Sequence, residues 1–514
     1  MKRQIKINFL IILLFSFTVI FSQTTSNLKN SSYTYVKSNL EFLASDELEG
    51  RETASHGEKI ASLFISEELE KYGVKPFGDS NTYFQNINMF VESIEEGANL
   101  AFQFEDNTSI VFENGTDIVF FSRTIPAEKN TDKTYDIVFV GYGIETEEDN
   151  YNSYKDIDVN GKVVLYLSGT PKKDGKEILS EKSIGKFKRS NAKNKIAKEK
   201  GAIAAISIPD AELLSFWDFT KEMAKSKNFL LEQEVISESE KDIPAIMLNE
   251  NSAKTLLSNE KYDLDFIKNN LETPTNFELK TKVKISYKTI SEKKLARNVI
   301  GIIEGNDPEL KNEFVAIGAH YDHEGIKGNQ IYNGADDNGS GTVTILETAR
   351  RLASEKNNKR SILVIFHTGE EKGLLGAKYL TSNSSFIQNT IAHINIDMVG
   401  RESEDSIYCI GASKISKELG KLVEEANQNS AQFYLNYKFD EPNDPNRFYY
   451  RSDHVHYANK GIPIAFFYDY MNEDYHKTTD DVEKINFTKI VKMVELLENL
   501  TTSISNLDHK LKID

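Results

Sequence analysis

The sequence predicts an α/β protein in which a mixed, mostly parallel sheet is sandwiched by helices, with a β-rich domain inserted into it. Two observations support this prediction. In the second half of the 514-residue chain, strand-like apolar runs alternate with amphipathic helices, which is typical of α/β folds. Between about 95 and 290 the pattern changes to short β-like runs, and this stretch of sequence has no cluster of metal-ligating side chains.

The N-terminus has the composition of a secretory signal peptide, which we place at residues 1–22. Three basic residues precede an apolar run over 8–22, which is short for a membrane span. The alternative is an uncleaved N-terminal anchor. We therefore expect export to the periplasm or the extracellular space. The polar residues 23–36 are predicted to form a disordered linker.

Residues 37–95 are expected to be the first part of the α/β domain. Two helices are predicted over 40–74, with Gly73 as the C-cap of the second. Residues 96–290 are predicted to be the inserted domain, including a helix over 191–202. The α/β domain then continues over 295–510.

Three segments of this second part are predicted to be helices that cover the sheet: 339–355, 415–428 and 489–507. Residues 361–368 form a continuous apolar run, which predicts a strand buried on both faces.

Composition excludes some classes of function. The formal net charge of −17 argues against non-specific nucleic-acid binding, which requires clustered Lys and Arg. Cys409 is the only cysteine, so the chain forms no intramolecular disulfide, and the alternating pattern around it predicts a buried, inert thiol.

Metal-capable side chains follow four strand-like runs, and ligands of open α/β sheets bind at the carboxyl ends of strands. The motifs are GAHYDH (318–323), HTGEEKGLLG (367–376), NIDMVG (395–400) and DYHKTTDD (474–481), with GADDNGSG (334–341) between the first two. Zinc binds His nitrogen and carboxylate oxygen. We predict a two-zinc site whose ligands are His320, Asp337, Glu371, Asp397 and His476, with Asp337 bridging the metals.

Two further carboxylates have predicted roles. Because successive side chains of a strand alternate, Glu370 and Glu371 are expected to point in different directions. Glu370 is then the general base that faces the attacking water. Asp322, two residues after His320, is expected to orient the imidazole.

Each motif alone has another interpretation. A Glu-Glu pair is usually solvated, and Asp336–Gly339 also fits a simple turn or part of a calcium loop. Neither an HExxH helix nor a GxSxG elbow occurs in the sequence. Ser452, Asp453 and His454 are neighbours in sequence and are not expected to form a catalytic relay. The remaining histidines near the motifs are expected to be structural or to lie outside the ligand shell: His323, His367, His393 and His456.

In this order, the five motifs resemble those of the secreted co-catalytic zinc aminopeptidases, a family that includes glutamate carboxypeptidase, glutaminyl cyclases and the transferrin receptor. LASDELEGR (43–51) is similar to the opening of bacterial members, and 96–290 looks like their protease-associated domain. The resemblance implies the same ligands, with His320 and His476 on different zincs. It adds Tyr475 as the residue that polarises the scissile carbonyl.

The sequence therefore predicts an exported aminopeptidase with two Zn²⁺ per chain that acts on peptides or proteins through a metal-activated water. Two alternatives keep the scaffold: a glutaminyl cyclase, and a carboxypeptidase that would need Arg401, Arg447 or Arg451 to bind the substrate carboxylate. A non-catalytic binding protein is the third. Oligomeric state and residue preference are left open.

Overall fold

The computed structural model describes residues 31–121, 128–130, 133–225, 227–235, 242–269, 275–441 and 444–514. The predicted signal peptide and most of the predicted linker lie outside these residues. The chain divides into two compact units: residues up to 88 together with 294–514 form the first, and residues 89–293 form the second.

The first unit is built on a mixed sheet whose four central strands are parallel, as predicted for an α/β fold. The central strands are Ser361–His367, Phe314–His320, Thr390–Asp397 and Ile464–Tyr468. Antiparallel partners flank them: the end of Phe277–Ile303 with Lys75–Pro76 on one side, and Ser406–Ile410 followed by Tyr434–Asn436 on the other. A small hairpin pairs Gly325–Lys327 with Gln330–Tyr332.

Helices cover both faces of this sheet, because the buried strands have apolar side chains on both sides. Val315, Ile317 and Ala319 share one core with the helices His56–Lys71, Gly341–Glu355, Lys417–Asn429 and Phe487–Ser505. Phe314 and Ala316, which alternate with them, share a second core with Leu375–Asn383 and His454–Ala458. The predicted helices over 339–355, 415–428 and 489–507 are confirmed with small shifts at their ends.

The linker prediction is wrong for residues 31–36. A helix runs over 31–43, and its Val36, Leu40 and Leu43 side chains are buried in the first core. These positions are spaced by four and three residues, so they lie on one face of the helix. The next long helix ends at Lys71, and Gly73 adopts a positive φ of 76° just beyond it, as the C-cap prediction requires.

The second unit combines a β-sheet with short helices. Four parallel strands lie at its centre: Tyr135–Phe139, Val163–Leu167, Ala204–Ile208 and Ala245–Leu248. Antiparallel strands extend them: Ile118–Phe121, Asn99–Gln103, Ser109–Glu113, Glu128–Asn130 and the first part of Phe277–Ile303. Phe84–Ile94 pairs separately with Asn228–Leu231, also antiparallel. Its helices are Glu181–Phe187, Ser190–Glu199, Ala211–Ser215, Trp217–Lys225, Glu250–Leu257 and Leu264–Asn269.

Two smaller hairpins complete the second unit: Glu145–Thr146 with Tyr151–Asn152, and Lys172–Lys173 with Lys176–Glu177. Ser190–Glu199 is the helix predicted over 191–202. That this unit is a protease-associated domain stays a prediction.

Two sequence-based expectations concern individual features of the chain. Cys409 is fully buried, and burial raises the pKa of its thiol well above the usual value, in keeping with the predicted inert side chain. Across the described residues, every helix is too short or too polar to cross a bilayer.

Candidate metal centre

The central parallel strands deliver the predicted ligands to one edge of the sheet. His320 is the last residue of its strand and lies in register with His367, the last residue of the neighbouring strand. Asp397 ends the next strand. Parallel strands that end together place their following residues along one rim, which is where ligands bind in such sheets.

Two groups of nitrogen and oxygen donors meet at this edge. His320 Nε2 lies 3.2 Å from Asp397 Oδ1 and 3.6 Å from Asp337 Oδ1. His476 Nε2 lies 3.2 Å from Asp337 Oδ2 and 3.1 Å from Glu371 Oε2. The two oxygens of Asp337 therefore face two different histidines, which is the arrangement expected of a bridging carboxylate.

The donor set fits zinc. Two ligand atoms that are each about 2.1 Å from a tetrahedral ion lie roughly 3.4 Å apart, and the four separations of 3.1–3.6 Å bracket that value. Imidazole nitrogen and carboxylate oxygen are ligands that zinc binds readily. His320, Asp337 and Asp397 could hold one ion, and Asp337, Glu371 and His476 a second.

Buried negative charge is concentrated in this cluster. Burial raises the pKa of the Asp337 carboxyl, and the nearby Glu371 carboxylate raises it further. Burial lowers the pKa of His476, but the Glu371 and Asp337 carboxylates outweigh it and raise the value to about 11. The imidazoles thus offset part of the carboxylate charge, a task that divalent cations would perform more completely.

A second acid fixes the turn that carries Asp337. The backbone N–H groups of Asp336 and Asp337 both donate to the Asp480 carboxylate, at 3.0–3.1 Å. Asp336 itself points elsewhere and accepts hydrogen bonds from Gly400 N and Asn472 Nδ2. The DDNG segment is therefore held by side-chain contacts in which its two aspartates have separate partners.

Glu370 and Glu371 do not lie at an extended strand end, as the sequence prediction assumed. The strand stops at His367, and both glutamates lie in the turn that follows. They nevertheless diverge: Glu371 contacts His476, whereas Glu370 Oε2 lies 4.0 Å from His320 Nε2 on the other side of Asp337. Burial raises the pKa of the Glu370 carboxyl well above its usual range.

Asp322 contacts His320 differently from the prediction. His320 Nδ1 lies 3.2 Å from the Asp322 carbonyl oxygen and 3.8 Å from the nearer carboxylate oxygen. The carboxylate instead accepts from Thr53 Oγ1 at 2.7 Å and from the Glu370 backbone N–H at 3.2 Å. Asp322 thus positions His320 through its backbone and the Glu370 turn through its side chain.

The segment LEGRET (48–53) anchors the loops around the ligands. Arg51 is 1% exposed, and its guanidinium donates to the carbonyls of Tyr321, Asn333 and Gly334, and also to that of Leu43. These carbonyls flank the His320 and Asp337 motifs. Sequence reasoning found this segment only as a resemblance, since nothing local indicates a buried arginine.

Four more contacts at or near the cluster were not predicted from the sequence. Ser452 Oγ donates to Asp397 Oδ2 at 2.7 Å, while His454 Nε2 lies 2.9 Å from the Tyr449 carbonyl, so these neighbours form no catalytic relay. Glu324 Oε1 lies 3.4 Å from His476 Nδ1, where it orients the ring. His323 Nδ1 lies 2.8 Å from Glu371 Oε1, inside the cluster.

The other histidines that were set aside lie apart from this cluster. His393 stacks on the Tyr457 ring at 3.7 Å, and the Tyr457 hydroxyl lies 3.2 Å from His367 Nε2. His456 lies on the short helix His454–Ala458. None of these three is in a group of donors close enough to hold a metal among the described residues.

Replacing Ser452 with Ala should weaken metal binding without unfolding the protein. The substitution removes the hydrogen bond that orients Asp397, and losses of this kind typically lower metal affinity about 10–100-fold. Zinc affinity measured by competition with a chromogenic chelator would report it. Ser384→Ala, whose hydroxyl accepts from Gln85 instead, is the matched control. Unchanged affinity in Ser452→Ala would refute the positioning role.

A pocket opens over the cluster. Its polar floor contains Asp337, Glu370, Asp397 and His476, and Tyr475 stacks on the His476 ring at 3.8 Å. The remaining lining is mainly apolar: Met398, Phe448, Phe466, Tyr468 and Arg451. Phe448 and Arg451 come from the aromatic and Arg-rich segment 430–452.

Part of this unit matches a known protein family. Residues 298–501, which include all the predicted ligands, match the model of peptidase family M28. This match covers less than half of the chain. A protein named "Probable leucine aminopeptidase" from Arthroderma benhamiae is 29% identical to the chain over 210 residues, which are 37% of this chain and 54% of the relative. The chain thus spans about half the length of that relative.

Solved structures share the fold of this chain. An aminopeptidase from Aneurinibacillus sp. strain AM-1 is 17% identical with a TM-score of 0.57, and the match covers 94% of this chain and 96% of that one. BSAP, a zinc aminopeptidase from Bacillus subtilis, is 19% identical with a TM-score of 0.54, over 93% and 96% of the chains. The predicted fold class and the family resemblance are confirmed.

Proposed function

We propose that this protein is an exported, zinc-dependent aminopeptidase that hydrolyses N-terminal residues from peptides. The observation that carries the proposal is the Asp337 carboxylate, whose two oxygens face His320 and His476, with Glu370 beside the first of these histidines. The names of the relatives, leucine aminopeptidase and zinc aminopeptidase, agree with it.

The residues would hold two ions, with Asp337 shared between the His320 and His476 groups. Bound zinc supplies Lewis-acid polarisation and lowers the pKa of a coordinated water. Glu370 accepts the proton of the attacking water, since its carboxylate lines the pocket beside the metal cluster, with Oε2 4.0 Å from His320 Nε2. It then delivers that proton to the leaving amine.

Two other groups act on the substrate itself. The Tyr475 hydroxyl donates a hydrogen bond to the scissile carbonyl oxygen as negative charge develops there. The acidic floor of the pocket attracts the free ammonium group of the first residue, and this attraction favours an exopeptidase that works from the N-terminus.

Hydrolysis of leucyl anilide beside its N-acetylated twin tests the proposal. We expect cleavage of the free-amine compound alone, loss of activity on chelation, and recovery when Zn²⁺ is added. Bound metal counted by plasma emission should approach two per chain. If zinc-loaded protein cleaves neither compound, the aminopeptidase proposal is wrong, and cyclisation of N-terminal glutamine and trimming of C-terminal residues become the activities to assay.

Carboxypeptidase action has less support. Of the three arginines that the sequence offered for a substrate carboxylate, Arg401 is already paired with Asp474 and with Asp480, the latter at 3.6 Å. Export follows from residues 1–22 alone, and N-terminal sequencing of the secreted protein would locate the cleavage.

A further inference from the structure

We propose that Arg451 is a specificity residue that binds a carboxylate of the substrate, so that the enzyme prefers peptides carrying one close to the scissile bond. The inference rests on the proposed peptidase function and deepens it by naming a substrate class. Two carboxylates could serve: the side chain of an acidic first residue, or the C-terminus of a dipeptide.

The environment of Arg451 carries this proposal. The residue lines the pocket above the metal cluster, and its guanidinium lies 5.0 Å from the centre of the Phe448 ring. Its Nη2 lies 3.8 Å from Met471 Sδ, and sulfur is a weak acceptor. Within the described residues the guanidinium forms no salt bridge, although an arginine carries five N–H donors arranged to hold a carboxylate.

The other arginines that the structure describes in this unit fall into two groups. Four of them are neutralised by a carboxylate of the chain: Arg350 by Glu347, Arg351 by Glu498, Arg360 by Glu313 and Arg401 by Asp474. Arg51, Arg297 and Arg447 also form no salt bridge among the described residues. Arg451 differs from all of them because it lines the pocket, where its exposed guanidinium lies against the Phe448 ring.

The charge of the pocket explains why such a cation affects selectivity. Asp337, Glu370 and Asp397 lie on the floor, and bound divalent cations would offset their charge, so a substrate carboxylate that reaches the wall finds a cationic partner among the lining residues that the structure describes there only in Arg451. Even with metals bound, a neutral apolar wall would leave that carboxylate unpaired. Stacking on Phe448 restricts the guanidinium in advance, which lowers the entropy lost when a carboxylate binds.

Substrate pairs that differ only in charge test the inference. Glutamyl anilide is compared with glutaminyl anilide, and dileucine with dileucine amide, with leucyl anilide as the neutral reference. Arg451→Met keeps an apolar stem on Phe448 but removes the charge. We expect about a tenfold loss of kcat/KM on the charged member of one pair, since hydrogen bonds to charged groups are worth roughly this factor. The pair that responds identifies the carboxylate.

Matched variants separate this role from a general effect. Arg447→Met makes the same change four residues earlier, at an arginine that lies over the Tyr450 ring rather than on the pocket wall, and should leave both ratios within twofold. Arg451→Lys should recover part of the preference. Equal losses on charged and neutral substrates, or the same loss in Arg447→Met, would overturn the inference.

A binding measurement distinguishes failure of the Arg451 proposal from failure of the proposed aminopeptidase function. If wild-type protein does not cleave even leucyl anilide, the aminopeptidase proposal fails, and calorimetry with the zinc-loaded protein still compares dileucine with dileucine amide. Tighter binding of the carboxylate form that is lost in Arg451→Met supports the role of Arg451. Equal affinities in wild type contradict it.

Discussion

Glu370→Gln is expected to retain zinc and to lose peptide hydrolysis by about 10²–10⁴-fold in kcat, the usual contribution of a positioned general base. The amide keeps the size of the side chain and leaves untouched the backbone hydrogen bond from Glu370 to Asp322. What it removes is the group that accepts the proton of the attacking water. KM for leucyl anilide should change little.

Turnover and zinc content are measured on the same sample of the Glu370→Gln variant. Zinc per chain should equal that of the wild type, because the ligand beside Glu370 in sequence is Glu371, which contacts His476 on the other side of Asp337. A variant that turns over within tenfold of wild type would assign the base to another residue. A variant that lost zinc as well would make Glu370 a ligand.

Asp337→Asn should abolish activity by a different route, through loss of metal. The amide has one oxygen where the carboxylate has two, so it cannot serve both the His320 and the His476 groups. Metal ions contribute several kcal/mol to reactions of this kind, so losing them should reduce kcat/KM by about a thousandfold or more. Zinc content should fall below one ion per chain after dialysis.

The neighbouring residue supplies the control. Asp336→Asn is the same chemical change one position earlier, at a carboxylate that accepts from Gly400 N and Asn472 Nδ2 and lies outside the donor groups. It should keep both zinc ions even if its melting temperature changes. Equal zinc loss in the two variants would mean that the turn as a whole, rather than the shared carboxylate, determines metal binding.

Helices and strands with a clear hydrophobic pattern were predictable from the sequence. The continuous apolar run of Ser361–His367 and the helical spacing in Gly341–Glu355 are local signals, and both elements appear where they were expected. The helix over 31–43 was missed because its composition is polar, although Val36, Leu40 and Leu43 carry the spacing of a buried face.

The metal site, like the fold, was only partly predictable from the sequence. Four of the five predicted ligands end or follow strands of the parallel sheet, so its topology was enough to bring them together, whereas Asp337 lies in the turn before the helix Gly341–Glu355. The contacts that hold them were not predictable: Asp480 binds the Asp337 turn from 143 positions away, and Ser452 reaches Asp397 across 55. Such pairings depend on loop paths, which leave no periodic trace in the sequence.

The hydrogen bonds of the buried Arg51 join a residue that is synthesised early to carbonyl groups that are synthesised late. One of its acceptors, the Gly334 carbonyl, is made 283 residues later, which at roughly 5–20 residues per second corresponds to about 15–60 s of translation. Until then the guanidinium has to stay in water, since burying an unpaired charge is too costly. The Leu43 carbonyl is made before Arg51, but the other three acceptors are made only after more than half of the chain, so the burial of Arg51 is a late step of folding.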